Sequence, residues 1–134
     1  MTLDQLYERA AAQGIEIDEI HMRELSAISF PEGWIAIDPR KFDTLTEFKC
    51  ALAHEIAHCE TGSFYNIWSP YDLMEKCERK ANRHMIHMLM PLDELLAAIH
   101  SGYCTRWALA GYFDVTEEVA QLAIDMYMEW RIAQ

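Results

Sequence analysis

The pentapeptide His54-Glu55-Ile56-Ala57-His58 constrains this chain more than any other feature. It reads HExxH, a spacing that carries chemistry only on a helix. The flanking residues place it on one. Thr44-Leu45-Thr46-Glu47 is a capping-box pattern: the threonine oxygen accepts from the amide three residues on, and the glutamate reaches back. Leu45, Phe48, Leu52 and Ile56 continue at helical spacing to about Cys59, and Thr61-Gly62 supplies the stop. On such a helix His54 and His58 lie one turn apart on one face. Two imidazoles can then converge on one ion, and zinc suits imidazole nitrogen. Glu55 is rotated about 100° from His54. That sets it beside the ion, where it can take a proton from a water whose pKa the metal lowers to about 7. The bland alternative is a buried helix on which Ala51, Ala53 and Ala57 simply pack. Cys50, one turn before His54, reads as packing rather than as an extra thiol ligand.

A catalytic zinc usually takes three protein ligands and a water, so a third donor must come from another element. Ser69-Pro70 opens a second helix, with serine as N-cap and proline at the first helical position. It should run to about Leu89, before Pro91. It offers Glu75 and Glu78 on neighbouring rows, and periodicity does not separate them. His84 and His87 lie about 120° and 180° round from Glu78. Neither shares an ion with it easily, so both read as surface or support residues. Met74, Met85, Met88 and Met90 read as a pliable core face rather than a partner surface. Trp68 and Tyr71 flank the entrance to this helix, as cleft lining or as packing.

Elsewhere Leu3, Leu6, Tyr7, Ala10 and Ala11 form a first amphipathic helix stopped by Gly14. Three short strand signals follow: Ile15 to Ile20, Ser26 to Phe30 and Trp34 to Asp38, the last two joined by Pro31-Glu32-Gly33. They predict a small, mostly antiparallel sheet. Trp34 to Asp38 is expected nearest the site, where it could pair with an extended substrate by strand addition. After Pro91 come short helices at Pro91–Ile99 and Trp107–Phe113, then a last helix capped by Thr116. That helix carries Val119, Leu122, Ala123, Met126 and Trp130 at apolar spacing. His21 and His100 have no evident partner and read as surface residues. The order helix, sheet, helices predicts an α+β domain.

Composition narrows the function classes. The 134 residues are one domain's worth. Asp plus Glu outnumber Lys plus Arg by 22 to 11, a formal charge of -11, which argues against direct nucleic-acid binding. The N-terminus does not read as a signal peptide, and no apolar stretch approaches the roughly 20 residues of a membrane span. Cys50, Cys59, Cys77 and Cys104 form no CxxC pair and read as reduced core thiols of a cytoplasmic protein.

Three ordered motifs give the chain a familiar outline. HEIAH at 54–58, Glu78-Arg79-Lys80-Ala81-Asn82 and Met88-Leu89-Met90-Pro91 resemble the ImmA/IrrE family of metallopeptidases. Tyr112-Phe113-Asp114-Val115-Thr116 before the last helix is similar to that family's tail, so the resemblance covers about residues 15 to 125. It implies a single minimal zincin-like domain over 1–134. A three-stranded sheet would pack on the HExxH helix and a second ligand helix, giving a catalytic core over about 15–91 and a helical part over about 92–134. It further implies zinc held by His54, His58 and Glu78, with Glu55 as general base. One departure is Arg83-His84-Met85, where the family often has Phe-Ala after the Asn. Relatives act in the bacterial cytosol on helix-turn-helix repressors of phages or mobile elements. Some carry a fused helix-turn-helix domain that is not seen here, so a repressor substrate would be a separate protein. The rival expectation is a non-catalytic anti-repressor or toxin–antitoxin binding module in which the metal only stabilises the fold. Tyr65, Tyr71, His84, His100 and Tyr103 remain open as the group that stabilises the oxyanion.

Overall fold

Threonine side chains set where four helices of this chain begin, and a computed structural model describes residues 1–133. Thr2 opens α1 (Leu3–Ala12): its hydroxyl accepts from the Gln5 amide while the Gln5 side chain accepts from the Thr2 amide. The strands β1 (Glu16–Glu19), β2 (Ala27–Phe30) and β3 (Trp34–Ile37) follow, then a single 3₁₀ turn over Pro39–Lys41. Helix α2 (Leu45–Thr61) starts as the capping residues demand. Thr44 Oγ1 accepts the Glu47 amide at 3.1 Å, while the Glu47 carboxylate accepts from Asp43, one residue earlier than a capping box predicts. Helix α3 (Tyr71–Leu89) begins one residue later than expected. Pro70 takes the N-cap position, and Ser69 Oγ instead accepts the Asn66 amide to close a turn. Helices α4 (Leu92–His100), α5 (Arg106–Phe113) and α6 (Glu117–Ala133) complete the chain, with Thr105 and Thr116 hydroxyls capping the last two.

The sheet is mixed, in the order β1-β3-β2. β2 and β3 form the expected antiparallel hairpin, with Phe30 opposite Trp34. β1 instead runs parallel to β3, with Ile17 opposite Ile35. The chain leaves β1, crosses over the end of β3 and returns as β2 on its far side. Asp38 pins that crossing. Its fully buried carboxylate accepts the Met22 amide at 2.9 Å, the Arg40 amide at 3.1 Å and His21 Nδ1 at 3.1 Å. The Met22 amide, more than any other neighbour, holds this carboxyl below the usual range. His21 therefore has a partner, contrary to expectation, although its ring stays largely in solvent.

This topology corrects one functional expectation. β3 is the central strand with both edges occupied, so Trp34 to Asp38 has no free edge for a substrate strand. The open edges belong to β1 and β2, and β2 is the strand packed most closely on α2.

One cluster of buried side chains unites the elements. Leu6 of α1, Ile35 and Ile37 of β3, Leu52 and Ile56 of α2, and Ile86 of α3 are fully buried in it. Each such side chain contributes roughly 1.5–3 kcal/mol of transfer free energy. Met85, Met88 and Met90 join the core as expected, and so do Cys50 and Cys77, whereas Met74 is only half-buried and lies outside it. Cys59 is half-buried and Cys104 is exposed, so the expectation of four core thiols fails at those positions. No helix among the described residues is long and apolar enough to cross a membrane.

Candidate metal centre

His54 and His58 stand one turn apart on α2, with their Nε2 atoms 3.1 Å from each other. Helix α3 packs against α2 and brings Glu78 across: Oε2 lies 3.0 Å from His54 Nε2, and Oε1 lies 3.2 Å from His58 Nε2. Two imidazole nitrogens and the two oxygens of one carboxylate thus converge, each ring nitrogen 3.0–3.2 Å from the other ring and from its nearer carboxylate oxygen. A tetrahedral ion with bonds of about 2.0–2.1 Å has ligand–ligand edges of about 3.3 Å. With the proton of His54 on Nδ1, its Nε2 lone pair joins the His58 lone pair and the Glu78 charge, an arrangement that one cation satisfies. These three residues are the group that could hold a metal ion among the described residues. His58 is buried, whereas His54 and Glu78 are half-buried, so solvent and substrate can reach the centre.

The local fold fixes the rings. Gly62 ends α2 in the left-handed conformation, at φ 65°. That turn brings the chain back so that the Ser63 carbonyl accepts from His58 Nδ1 at 2.6 Å. Nδ1 then carries the proton, and Nε2 is left with its lone pair toward Glu78. The Tyr65 hydroxyl donates to Glu78 Oε1 at 2.6 Å. Burial alone would raise the Glu78 carboxyl, but the Tyr65 hydroxyl and the two imidazoles outweigh it and hold it low. The same hydrogen bond, aided by burial, pushes the Tyr65 hydroxyl up to about 12.

Glu55 sits half-buried beside His54, and its negative charge is felt at the Tyr65 hydroxyl. The other sequence candidates separate clearly. Glu75 meets the Tyr71 hydroxyl at 3.2 Å instead of the imidazoles. His84 binds Glu60 at 2.7 Å, and His87 lies 3.4 Å from the Tyr127 hydroxyl. Tyr103 packs on Tyr112 with the rings inclined at 52°, and His100 is exposed. Of the five candidates for oxyanion stabilisation, only Tyr65 bonds to a member of the triad. Cys50 is buried, and burial pushes its thiol up against a smaller opposing influence of Thr116 and Lys49, with no member of the triad among the groups that act on it.

A family model for the peptidase M78 IrrE N-terminal-like domain matches residues 17–125. The chain belongs to that family. The likeness read from HEIAH, ExxAN and the Leu-Met-Pro stop is thereby borne out, and membership in M78 supports a metallopeptidase-type function. No curated protein matches the chain. α1 and the end of α6 lie outside the stretch shared with M78.

Two features near the centre were not foreseen. The Ser63 carbonyl is a backbone partner, hinted at only by the Gly62 stop that reverses the chain. The second is an open cavity of about 450 Å³ between α3 and α6, which includes Glu78 and Tyr65 in its lining. Trp68, expected to line a cleft or to pack, stands 85% exposed and does not line that cavity, whereas Tyr71 does.

Proposed function

We propose that the protein is a zinc-dependent endopeptidase of the bacterial cytosol. In this reading it cuts a helix-turn-helix repressor of a phage or mobile element. The observation that carries the reading is the triangle of two imidazole nitrogens and one carboxylate at 3.0–3.2 Å, with Glu55 next to it on the same helix. Zinc held by His54, His58 and Glu78 would supply Lewis-acid polarisation of a water and of the scissile carbonyl.

The chain's own groups do the rest. Glu55 accepts the proton of the attacking water and delivers it to the leaving amine. The Tyr65 hydroxyl, which donates to Glu78 at 2.6 Å, turns its one proton from that carboxylate to the oxygen on which charge develops. The open edge of β2, packed on α2, aligns an extended peptide through its main-chain groups. The cavity beside Glu78 takes substrate side chains against Met74, Leu122 and Met126. The formal charge of -11 suits a basic DNA-binding partner.

Incubation with the repressor encoded by a neighbouring gene, with and without chelator, tests this. The wild type is expected to cleave it in a chelator-sensitive way, and Glu55→Gln to keep its zinc and lose cleavage. A Glu55→Gln variant that cuts at the wild-type rate removes the general-base role. A stable complex without cleavage would support the non-catalytic binding module instead.

A further inference from the structure

Helix α1 lies outside the residues shared with the family, yet it reaches the end of the helix that carries both histidines. We propose that Arg9, acting through Glu60 and His84, is a positioning residue that holds α2 and α3 at the spacing the metal ligands require. This rests on the metal-centre reading above.

Glu60 follows His58 by two residues in the last turn of α2, and its side chain is only 7% exposed. It collects four hydrogen bonds, from α1, the residue that caps it, and α3. Arg9 of α1 donates through Nε at 2.6 Å and Nη2 at 2.8 Å, a bidentate grip. Gln13 Nε2, just past α1, donates at 2.7 Å. His84 of α3 completes the set at 2.7 Å. A carboxylate only accepts, so His84 Nε2 carries the proton. His84 is six residues beyond Glu78 on the same helix. The Glu60–His84 bond is thus a polar tie between the two ligand helices, near the end of α2 that bears His58.

The tie depends on α1 for a physical reason. A buried carboxylate without a counter-charge is costly, and its normal response is to turn toward water. Among the described residues, Arg9 is the only guanidinium or ammonium group paired with Glu60. Without it, Glu60 gains by leaving its site, and His84 loses its partner. Ligand edges of 3.0–3.2 Å tolerate little drift of α3 against α2. Gln13 also bonds the Arg9 carbonyl at 3.1 Å, which fixes the end of α1 over Glu60. A mere anchor for α1 would need the Arg9 pair but not the continuation to His84.

The experiment measures zinc dissociation constants by competition with a chromogenic chelator. It compares wild type, Arg9→Ala, Arg9→Lys, His84→Ala and the Arg9→Ala/His84→Ala double variant. Arg9→Ala and His84→Ala should each weaken zinc about tenfold, the scale of outer-shell losses. Because both act through one carboxylate, the double variant should also lose about tenfold rather than about a hundredfold. Arg9→Lys should recover part of the loss, since lysine restores charge but not the two-point grip. Hydrogen exchange on the metal-free proteins should show Arg9→Ala speeding the last turn of α2 and the turn around His84 as well as α1.

Unchanged zinc affinity in Arg9→Ala, with faster exchange confined to α1, would overturn the proposal and leave the metal centre standing. Additive losses in the double variant would overturn it too. Should Arg9→Ala fail to fold, His84→Ala and Arg9→Lys decide: both must bind zinc more weakly than wild type. A wild type that binds no zinc removes the metal-centre reading itself, and Arg9 then positions no ligand.

Discussion

The α2–α3 pair and the α4–α6 segment share one apolar core but are built by different means. Every buried polar or charged residue in the protein falls between Asp38 and Ser63, among the described residues. Lys49 reaches the Met1 carbonyl and Asp114, His58 reaches Ser63, and Asp38 holds the crossing of the sheet. Among the described residues no buried side-chain nitrogen or oxygen lacks a partner. The α4–α6 segment buries only apolar groups, such as Leu95, Leu109, Phe113 and Ala123. Its aromatic residues Trp107 and Trp130 face solvent instead. A change in the first region therefore travels along hydrogen bonds to the ligands. A change in the second, away from the α6 residues that line the cavity beside Glu78, alters how firmly the molecule holds together without touching the metal ligands.

The largest effect expected from this contrast belongs to Glu78→Ala. It removes the only carboxylate in the triangle and leaves two imidazoles facing each other. Metal content should fall from about one equivalent to almost none, since a two-ligand site binds zinc poorly. Elemental analysis of wild type and variant checks this, and retention of zinc by the variant would break the comparison at its base. Leu109→Ala is the counterpart in the other region. Leu109 is 1% exposed, so truncation should cost about 2–5 kcal/mol in urea unfolding. Zinc affinity of the folded protein should not change. A parallel loss of zinc binding would show that the two regions are not separable.

Next in size is a pH effect at Glu60. Burial would raise this carboxyl, but the hydrogen bonds from Arg9, Gln13 and His84 prevail and hold it at about 2, against 4.5 for an ordinary glutamate. A depressed carboxyl stabilises the fold fully above the unfolded value, and that contribution is lost as pH falls through about 2. Charge-assisted hydrogen bonds of this kind contribute about 1.5–3 kcal/mol. Metal-free wild type should therefore exceed Glu60→Gln in stability by about that much at pH 6, with the gap closing as pH drops toward 2. Urea titrations at several pH values read the gap directly. A constant gap would mean that Glu60 matters for its shape and not its charge.

How much of this was legible in the sequence follows the same division. Both ligand helices could be read from local signals, because caps such as Thr44 and stops such as Gly62 act within a few residues. Glu78 could not be told from Glu75 by periodicity, since both lie on adjacent rows. The structure separates them through the Tyr65 and Tyr71 hydroxyls, each bonded to one of them. Strand positions were legible but their order was not. The unbroken apolar run Trp34-Ile35-Ala36-Ile37 did carry the signal of a strand covered on both faces, unlike the alternating Glu16-Ile17-Asp18-Glu19. The Glu60 network was out of reach. Its partners lie 51, 47 and 24 residues away, and no local rule pairs a glutamate at the end of one helix with an arginine on another.

The finest test sets one glycine against another. Gly62 follows α2 at φ 65°, and Gly102 follows α4 at φ 102°, so each sits where an L side chain is strained. A methyl group at either position would meet nothing within 4 Å. The cost of alanine is therefore backbone strain alone, about 1 kcal/mol in each case. Global stability should not distinguish the two variants. Zinc affinity should. Relaxing the turn at 62 shifts the Ser63 carbonyl that fixes the tautomer of His58, while relaxing the turn at 102 shifts only a connection between α4 and α5. Gly62→Ala should therefore bind zinc more weakly than Gly102→Ala at equal stability. Gly62→Asn should recover most of the difference, because asparagine accepts the left-handed conformation. Equal zinc affinities in the two alanine variants would show that His58 keeps its orientation without the turn, and that the packing of α3 alone sets the ring.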